Sequence, residues 1–312
     1  MMTMTVAVVG AGLIGRAWAI VFARAGLAVR LYDVDHLQLD SVLSRINESL
    51  EDLQKAGLVE EPAAILARID AQSDLTKALT GVAYVQECGP EDVAAKQAIY
   101  TQLEAASEPD TILASSTSGI VASQFTAHLK HPERCLVAHP VNPPYLIPLV
   151  EVVPSNTTSA QVIERTMALM RQVEQEPILV NKEVQGFILN RLQGALLNEA
   201  LRLFRDGYVS AEDLDKTVKH GLGLRWSFMG PFETIDLNAP KGVVDYAGRY
   251  GPLYRDVDTQ RSGDNPWEAQ TLQALDEQRR EALPNNQLAG RQAWRDRRLM
   301  ALIAHKQAQP GS

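Results

Sequence analysis

Short apolar runs alternate with amphipathic stretches along the first half of the chain. The runs are rich in Val, Ile and Leu and are bounded by Gly, Pro, Asp or Ser, a pattern typical of strands buried on both faces. They are Thr5–Val9, Ala28–Tyr32, Val82–Glu87, Thr111–Ala114, Cys135–Ala138 and Leu149–Val153. Helical periodicity fills several of the gaps, at Leu13–Ala25, Asp35–Ala56 and Ala94–Ala106. This alternation predicts an α/β fold with a doubly wound, mostly parallel sheet.

The pattern changes after about residue 155. A helix is predicted around Val162–Val173 and a last short strand at Pro177–Val180, and no strand pattern follows Glu183. Phe187–Phe204 is strongly apolar and predicts a buried helix, and Gln292–Ala304 predicts a basic amphipathic helix. We therefore expect residues 1–183 to form the α/β domain and residues 184–312 to form a smaller all-α domain.

Composition narrows the classes of function. The formal net charge is -8, with 38 acidic against 30 basic residues, which argues against a nucleic-acid-binding protein. No apolar run reaches the roughly 18 residues of a membrane span, and no signal peptide is recognisable. The two cysteines, Cys88 and Cys135, form no CxxC motif and accompany no histidine cluster. We expect a cytoplasmic protein with reduced thiols, no metal site and no membrane partner.

A glycine-rich segment follows the first predicted strand. Residues 10–15 read Gly-Ala-Gly-Leu-Ile-Gly, which fits G-x-G-x-x-G between a strand and a helix and is typical of a Rossmann-type dinucleotide site. Asp33 ends the second predicted strand, where a carboxylate accepts the ribose hydroxyls and repels the 2′-phosphate of NADP. The pattern predicts NAD as cofactor, in contact with these residues: Gly10, Gly12, Leu13, Ile14, Gly15 and Asp33.

Four polar residues lie where the sheet would present its carboxyl edge or where an apolar segment would bury them. They are Ser118, His139, Glu151 and Asn190. A buried glutamate that orients a histidine would make that histidine a general base for removing a proton from an alcohol. Each residue also has a structural explanation: a histidine satisfied by the fold, a glutamate facing solvent on an edge strand, a turn serine and a helix-packing asparagine.

Several segments in this order resemble the L-3-hydroxyacyl-CoA dehydrogenase superfamily from Val6 to about Tyr250. Within it, the sequence is most similar to the lambda-crystallin / L-gulonate 3-dehydrogenase branch. The segments that carry the resemblance are Gly10–Arg16, Gln86–Cys88, Ala138–Tyr145, Gly186–Gln193, Gly221–Arg225 and Gly230–Thr234.

The resemblance assigns roles to individual residues. It implies that His139 is the catalytic base, that Glu151 is its carboxylate partner, and that Ser118 and Asn190 bind the substrate. It also implies that Glu91 and Lys96 lie near the nicotinamide-side ribose, although charges at the start of a solvated helix are the alternative. A homodimer formed through the second domain is implied as well.

The same resemblance predicts a small L-3-hydroxy acid as substrate, L-gulonate first. Acyl-CoA dehydrogenases have a lysine where this chain has Pro148, which weakens the case for a CoA phosphate anchor. L-Carnitine is another alternative, since Tyr145, Trp226 and Phe228 could form part of an aromatic cage. Asn142 and Arg225 are candidate substrate contacts. Arg225 would bind a substrate carboxylate, and a position at a helix C-terminus or at a subunit interface would explain it equally well.

Two roles without catalysis remain open to such a sequence. One is a bulk structural protein, as lambda-crystallin shows for this scaffold, and the other is an NAD-binding sensor. A structural protein would leave the catalytic positions free to change, whereas Ser118, His139 and Glu151 occur together here. Their joint presence favours the enzyme.

Overall fold

The fold is taken from a computed structural model that describes residues 4–259 and 265–309. Eight strands form one sheet in the order β3-β2-β1-β4-β5-β6-β7-β8, and every neighbouring pair is parallel except the antiparallel pair β6 and β7. The predicted doubly wound, mostly parallel sheet is confirmed. The strands are β1 Thr5–Val9, β2 Ala28–Tyr32, β3 Ile69–Gln72, β4 Tyr84–Glu87, β5 Ile112–Ser115, β6 Cys135–Pro140, β7 Leu149–Pro154 and β8 Glu176–Leu179.

Helices connect these strands, and polar side chains mark where four of them begin. Asp35, Asp74, Asp92 and Ser159 each accept a hydrogen bond from a first-turn backbone N–H of the helix that follows, which satisfies an otherwise unpaired donor. The helices are α1 Leu13–Arg24, α2 His36–Lys55, α3 Pro62–Leu66, α4 Leu75–Leu79, α5 Val93–Ala106, α6 Ala122–Thr126 and α7 Ala160–Gln172.

The sheet is buried on both faces because its strands are apolar at consecutive positions. Successive side chains of a strand point to opposite faces. Val6 and Val8 accordingly pack in one hydrophobic cluster, and Ala7 and Val9 pack in the other. The near-continuous apolar runs of the sequence therefore reflect two covered faces.

The second half of the chain is helical, as expected. Its helices are α8 Leu189–Arg205, α9 Ala211–Thr217, α10 Gly223–Trp226, α11 Pro231–Leu237, α12 Val243–Thr259, α13 Ala269–Ala282 and α14 Leu288–Gln307. A π-helical turn at Val218–Leu222 joins α9 to α10. None of the helices within residues 4–259 and 265–309 is long and apolar enough to cross a bilayer.

The chain divides into two compact units at Arg191, eight residues beyond the domain boundary expected at residue 183. The extra residues belong with the sheet because Phe187 is buried in one of its clusters. Asp296–Ala308, which the pattern grouped with the all-α domain, also belongs to the first unit. There Met300 is buried in the larger hydrophobic cluster.

One helix differs from its prediction. The apolar segment Phe187–Phe204 was expected to be a buried helix, but α8 begins only at Leu189 and buries only Leu201. Leu192 is 63% exposed, and Leu196, Leu197 and Leu203 are exposed as well. The prediction was wrong because an apolar pattern measures how hydrophobic a helix is, and not whether this chain covers it.

Candidate active site

The glycine segment forms a tight turn between β1 and α1. Gly10 has a backbone φ of 109°, which is accessible to glycine at little cost. A Cβ on Gly15 would lie 1.7 Å from the Gly10 carbonyl oxygen, so only a residue without a side chain lets α1 approach the turn. A Cβ on Gly12 would meet nothing within 4 Å. Gly12 therefore leaves open space where a ligand can approach the backbone.

The turn fits the pyrophosphate of a dinucleotide. Helix α1 begins at Leu13 without a side-chain cap, so its first backbone N–H groups and its dipole favour an anion. Leu13 is exposed beside this terminus, and Ile14 packs against the core. A cavity of about 510 Å³ adjoins it, lined among others by Gly10, Gly12 and Asp33.

Asp33 follows β2 and fastens the glycine turn. Its Oδ2 accepts a hydrogen bond of 2.6 Å from the backbone N–H of Ala11, and its Oδ1 accepts one of 2.8 Å from Asp35. The Asp33 carboxylate thus has two roles: it holds the glycine loop in place, and it lines the 510 Å³ cavity. Its acceptor oxygens retain lone pairs for ribose hydroxyls.

Lys96 is buried and paired with a glutamate. Its side chain is 1% exposed, and Nζ binds the Glu87 carboxylate at 3.0 and 3.1 Å. Glu87 is fully buried and also accepts hydrogen bonds from the Ser115 hydroxyl and the Gly89 backbone N–H. Lys96 is not among the residues that line the 510 Å³ cavity, and its contact with the cofactor stays a prediction.

Glu91 organises the loop that carries Ser118. One oxygen, Oε1, accepts hydrogen bonds from the Thr117 hydroxyl at 2.6 Å, the Ser118 backbone N–H at 2.9 Å and the Gly119 backbone N–H at 3.2 Å. Glu91 and Ser118 also line the same cavity. Its contacts are with this loop.

His139 and Glu151 are direct cross-strand partners. They lie opposite each other in the antiparallel pairing of β6 with β7, so their side chains emerge on the same face. His139 Nδ1 and Glu151 Oε2 are 2.8 Å apart, and the two residues are 6% and 0% exposed. The contact between the two side chains depends on this register, since a shift of one residue would place them on opposite faces.

The second oxygen of Glu151 meets the start of α8. Oε1 accepts hydrogen bonds from the backbone N–H groups of Ile188 at 2.8 Å and Leu189 at 3.0 Å. Burial raises the pKa of Glu151, but the hydrogen bonds from His139 and from these two amides outweigh burial and hold the pKa below its ordinary value. An ionised carboxylate only accepts, so His139 Nδ1–H is the donor and Nε2 is the nitrogen left free to take a proton.

Asn190 comes next along α8 and reaches the Ser118 loop. Its Nδ2 donates a hydrogen bond of 2.6 Å to the Ser118 carbonyl oxygen. Both residues line a cavity of about 630 Å³ that also includes Glu91 and Glu183. The loop after β5 and the start of α8 are thus joined at the residues predicted to bind substrate.

Two other candidates take part in none of the contacts described above. Asn142 is exposed in the loop that follows β6. Arg225 is exposed in helix α10 of the second compact unit. Among residues 4–259 and 265–309, no cluster of His, Cys, Asp and Glu could hold a metal ion.

A buried polar network behind the site had no role in the sequence predictions. Gln86 Nε2 donates to the Ser116 hydroxyl at 2.7 Å and to the Ala138 carbonyl at 3.1 Å, directly before His139. The Trp18 indole donates to the same Ser116 hydroxyl at 3.1 Å. A glutamine within the apolar run Val82–Glu87 was the available signal, because a buried amide needs partners.

These features define a class of protein. A glycine turn opening into a helix at the carboxyl edge of a parallel sheet holds a dinucleotide, and the His139–Glu151 pair on β6 and β7 of the same sheet can exchange a proton. Such a combination serves hydride transfer, in which one group removes the hydroxyl proton and the cofactor accepts the hydride. The class is a nicotinamide-dependent oxidoreductase.

Comparison with known proteins gives the family. The model of the 3-hydroxyacyl-CoA dehydrogenase NAD-binding domain matches residues 5–184, and that of the C-terminal domain matches residues 186–277. The chain therefore belongs to the 3-hydroxyacyl-CoA dehydrogenase family. It is an NAD-dependent oxidoreductase that acts on a CH–OH group.

Relatives and solved structures agree with this placement. The chain is 41% identical to a lambda-crystallin homolog of Homo sapiens, over 98% of this chain and 97% of the relative. It is 37% identical to an L-carnitine dehydrogenase of Pseudomonas aeruginosa, over 80% and 77% of the two chains. One similar solved structure is that of 5-formyl-3-hydroxy-2-methylpyridine 4-carboxylic acid 5-dehydrogenase, an NAD+-dependent dismutase. It superposes with a TM-score of 0.85 at 28% sequence identity, and the match covers 99% of this chain and 100% of that one.

Proposed function

We propose that this enzyme oxidises the 3-hydroxyl of a small L-3-hydroxy acid, with L-gulonate as substrate and 3-dehydro-L-gulonate as product. The observation that carries the proposal is the buried hydrogen bond between His139 and Glu151, beside the cavity-lining residues Ser118 and Asn190. The choice of L-gulonate rests on the resemblance to the lambda-crystallin / L-gulonate 3-dehydrogenase branch. The near-complete coverage of a lambda-crystallin homolog supports that branch.

In the proposed mechanism, His139 is the general base. Its Nε2 takes the proton of the substrate hydroxyl, and Glu151 stabilises the imidazolium that forms by holding Nδ1–H. The two amides at Glu151 Oε1 keep the carboxylate from turning away. NAD, when bound, supplies the hydride acceptor.

Ser118 and Asn190 are proposed to bind the substrate oxygen. The Ser118 backbone is fastened twice, by Glu91 at its N–H and by Asn190 at its carbonyl. A loop held in this way fixes the position of the Ser118 backbone, so that only the side-chain rotation of its hydroxyl has to be set when substrate binds. We assign the cofactor turn to Gly10, Gly12, Gly15 and Asp33, on the open space at Gly12 and the uncapped start of α1.

The lining of the 630 Å³ cavity bears on the substrate. Among the described residues, its lining includes the carboxylates of Glu91 and Glu183 and no lysine or arginine. Such a surface repels the several phosphate charges of coenzyme A more strongly than the single carboxylate of a small hydroxy acid, which supports a small substrate over an acyl-CoA. Arg225 remains our candidate for binding a substrate carboxylate.

L-Carnitine is the second candidate substrate. Its quaternary ammonium group is complementary in charge to Glu91 and Glu183, and the chain is 37% identical to an L-carnitine dehydrogenase over 249 residues. Carnitine is itself a 3-hydroxy acid, so the same base and the same NAD site would serve.

The test is NADH production by the purified protein with L-gulonate, L-carnitine and L-3-hydroxybutyryl-CoA under matched conditions. We expect the kcat/KM for L-gulonate to exceed the others by about tenfold or more, a difference of about 1.4 kcal/mol in transition-state binding. A higher value for carnitine would establish the second candidate. Turnover with the thioester alone would refute both.

We further propose that the enzyme is a cytoplasmic homodimer. The exposed leucines of α8 support association with a second copy. Both cysteines are free thiols in the structure, Cys135 buried and Cys88 partly so, which is usual for proteins of a reducing compartment.

A further inference from the structure

Phe187 packs against the imidazole of the proposed base. It lies two residues before α8 and is fully buried. The ring centroids of Phe187 and His139 are 5.5 Å apart, with an angle of 54° between the ring planes. The imidazole is thus held by Glu151 through a hydrogen bond at Nδ1 and by the tilted ring of Phe187 packed against it.

The backbone of Phe187 adopts a conformation that phenylalanine rarely takes. Its φ is 49°, directly after Gly186 with a φ of 75°. A side chain at positive φ crowds its own backbone, so such a residue persists only where its surroundings require it. Filling space in a core does not require this conformation, whereas redirecting the chain does.

The redirected chain delivers two amides to Glu151. The backbone N–H groups of Ile188 and Leu189, the two residues after Phe187, both donate to Glu151 Oε1. The ring of Phe187 therefore contacts His139, and the backbone that follows Phe187 binds Glu151, the hydrogen-bond partner of His139. A single residue contacts the base and directs the donors that fix its carboxylate.

We propose that Phe187 is a positioning residue for the His139–Glu151 pair. Its ring sets the orientation of the imidazole, and its left-handed backbone aims the amides of residues 188 and 189 at the carboxylate. The inference rests on the proposed role of His139 as base, and its tests separate the two ideas.

The first test is kinetic and uses Phe187→Leu, with Phe125→Leu as the matched control. Phe125 is also fully buried, and its ring also makes one tilted aromatic contact, to Tyr100 at 4.7 Å between centroids. We expect Phe187→Leu to lower kcat by about tenfold or more while the KM for NAD changes by less than about twofold, because misplaced catalytic groups slow the chemistry and leave cofactor binding intact. The control should retain kcat per folded molecule within about twofold. Equal losses in both variants would overturn the proposal.

The second test needs no substrate. In protein labelled with ¹⁵N-histidine, the Nδ1 proton of His139 should give a slowly exchanging signal, identified among the six histidines by its loss in His139→Gln. Phe187→Leu should broaden that signal through faster exchange with water, and Phe125→Leu should leave it sharp. An unchanged signal in Phe187→Leu would refute the positioning role.

The two measurements distinguish the failure of each proposal. A wild-type protein that oxidises none of the hydroxy acids, but shows the expected pattern of proton signals, refutes the proposed substrate and supports the role of Phe187. If Phe187→Leu does not fold, Phe187→Met replaces it, because methionine fills the volume with a flexible chain and offers no aromatic face. The same losses are expected for that variant.

Discussion

At the scale of single residues, His139 and Glu151 are both buried, and every carboxylate oxygen of Glu151 accepts at least one hydrogen bond. Both oxygens of Glu151 are engaged, one with the imidazole and one with two backbone amides. The carboxylate is therefore a fixed anion, and only Nε2 of the imidazole is left to exchange a proton with a substrate. Three predictions follow from this arrangement and from the cofactor turn.

Replacing His139 with alanine should lower kcat by about 10²–10⁴, the usual contribution of a positioned general base. The affinity for NADH, measured by fluorescence titration, should stay nearly constant, since His139 is not among the residues that line the cofactor cavity. An exposed histidine such as His36 supplies the control, and His36→Ala should keep its turnover. Near-normal turnover in His139→Ala would make His139 a structural histidine.

The depressed pKa of Glu151 ties stability to acid pH. A carboxyl whose folded pKa lies below its ordinary value of 4.5 stabilises the folded protein above that value, and this contribution disappears as the pH falls through the folded pKa. Glutamine at 151 cannot titrate. Chemical unfolding at pH values from neutral down through this range should show a smaller acid loss of stability in Glu151→Gln than in wild type. Identical pH dependence in both proteins would contradict the assignment.

Asp33 should decide between the two nicotinamide cofactors. Asp33→Ala removes the carboxylate that lines the cofactor cavity, and with it a charge-assisted hydrogen bond to the ribose of roughly 1.5–3 kcal/mol. The KM for NAD should rise while the preference for NAD over NADP shrinks. Because Asp33 also fastens the glycine turn, thermal unfolding of the variant serves as control. Equal use of NAD and NADP by the wild type would contradict the expected role.

At the scale of elements, helix α14 contributes its residues from Asp296 onward to the first compact unit, although they follow the second unit in the sequence. Met300 on this helix is 5% exposed within the larger hydrophobic cluster, and Leu299 and Ile303 pack against that cluster.

Strand β3 was not predicted from the sequence, and only Ile69 of its four residues is buried. A strand with one apolar anchor has too weak a pattern to be predicted, and it was missed.

Met300→Ala should lower the free energy of unfolding of the first unit by about 2–5 kcal/mol, because it leaves a cavity in a packed core. Leu302→Ala on the same helix is the control, since Leu302 is 43% exposed, and its effect should stay within about 1 kcal/mol. Thermal or denaturant unfolding with a probe in the NAD-binding unit measures both. Equal effects would show that α14 does not depend on Met300 for its packing.

At the scale of the whole molecule, four leucines of α8 are exposed in the single chain: Leu192, Leu196, Leu197 and Leu203. Exposed apolar patches of this kind mark association sites. Leu192→Glu should therefore shift the protein from dimer towards monomer in sedimentation velocity at micromolar concentration. Leu43→Glu, at an exposed position of α2, should leave the sedimentation coefficient unchanged. A wild-type protein that sediments as a monomer would contradict the proposed homodimer.

Local pattern determined most of the fold and the candidate residues of the site. Strands β1 and β2 were predicted residue for residue, and the Gly10–Gly15 turn was placed correctly, because a short apolar run and glycine backbone freedom are local properties. The chemistry of His139 and Glu151 was visible as polar residues in apolar runs.

Contacts between distant segments decided the rest. Only the tertiary structure paired Lys96 with Glu87 in the interior, left Leu192 exposed and brought the amides after Phe187 to Glu151. The sequence predicts where a segment is apolar or charged, and the packing partner decides whether an apolar face is covered or a charge is neutralised. For that reason the sequence identified the proposed base and its carboxylate, whereas the contacts that hold them in place emerged from the fold.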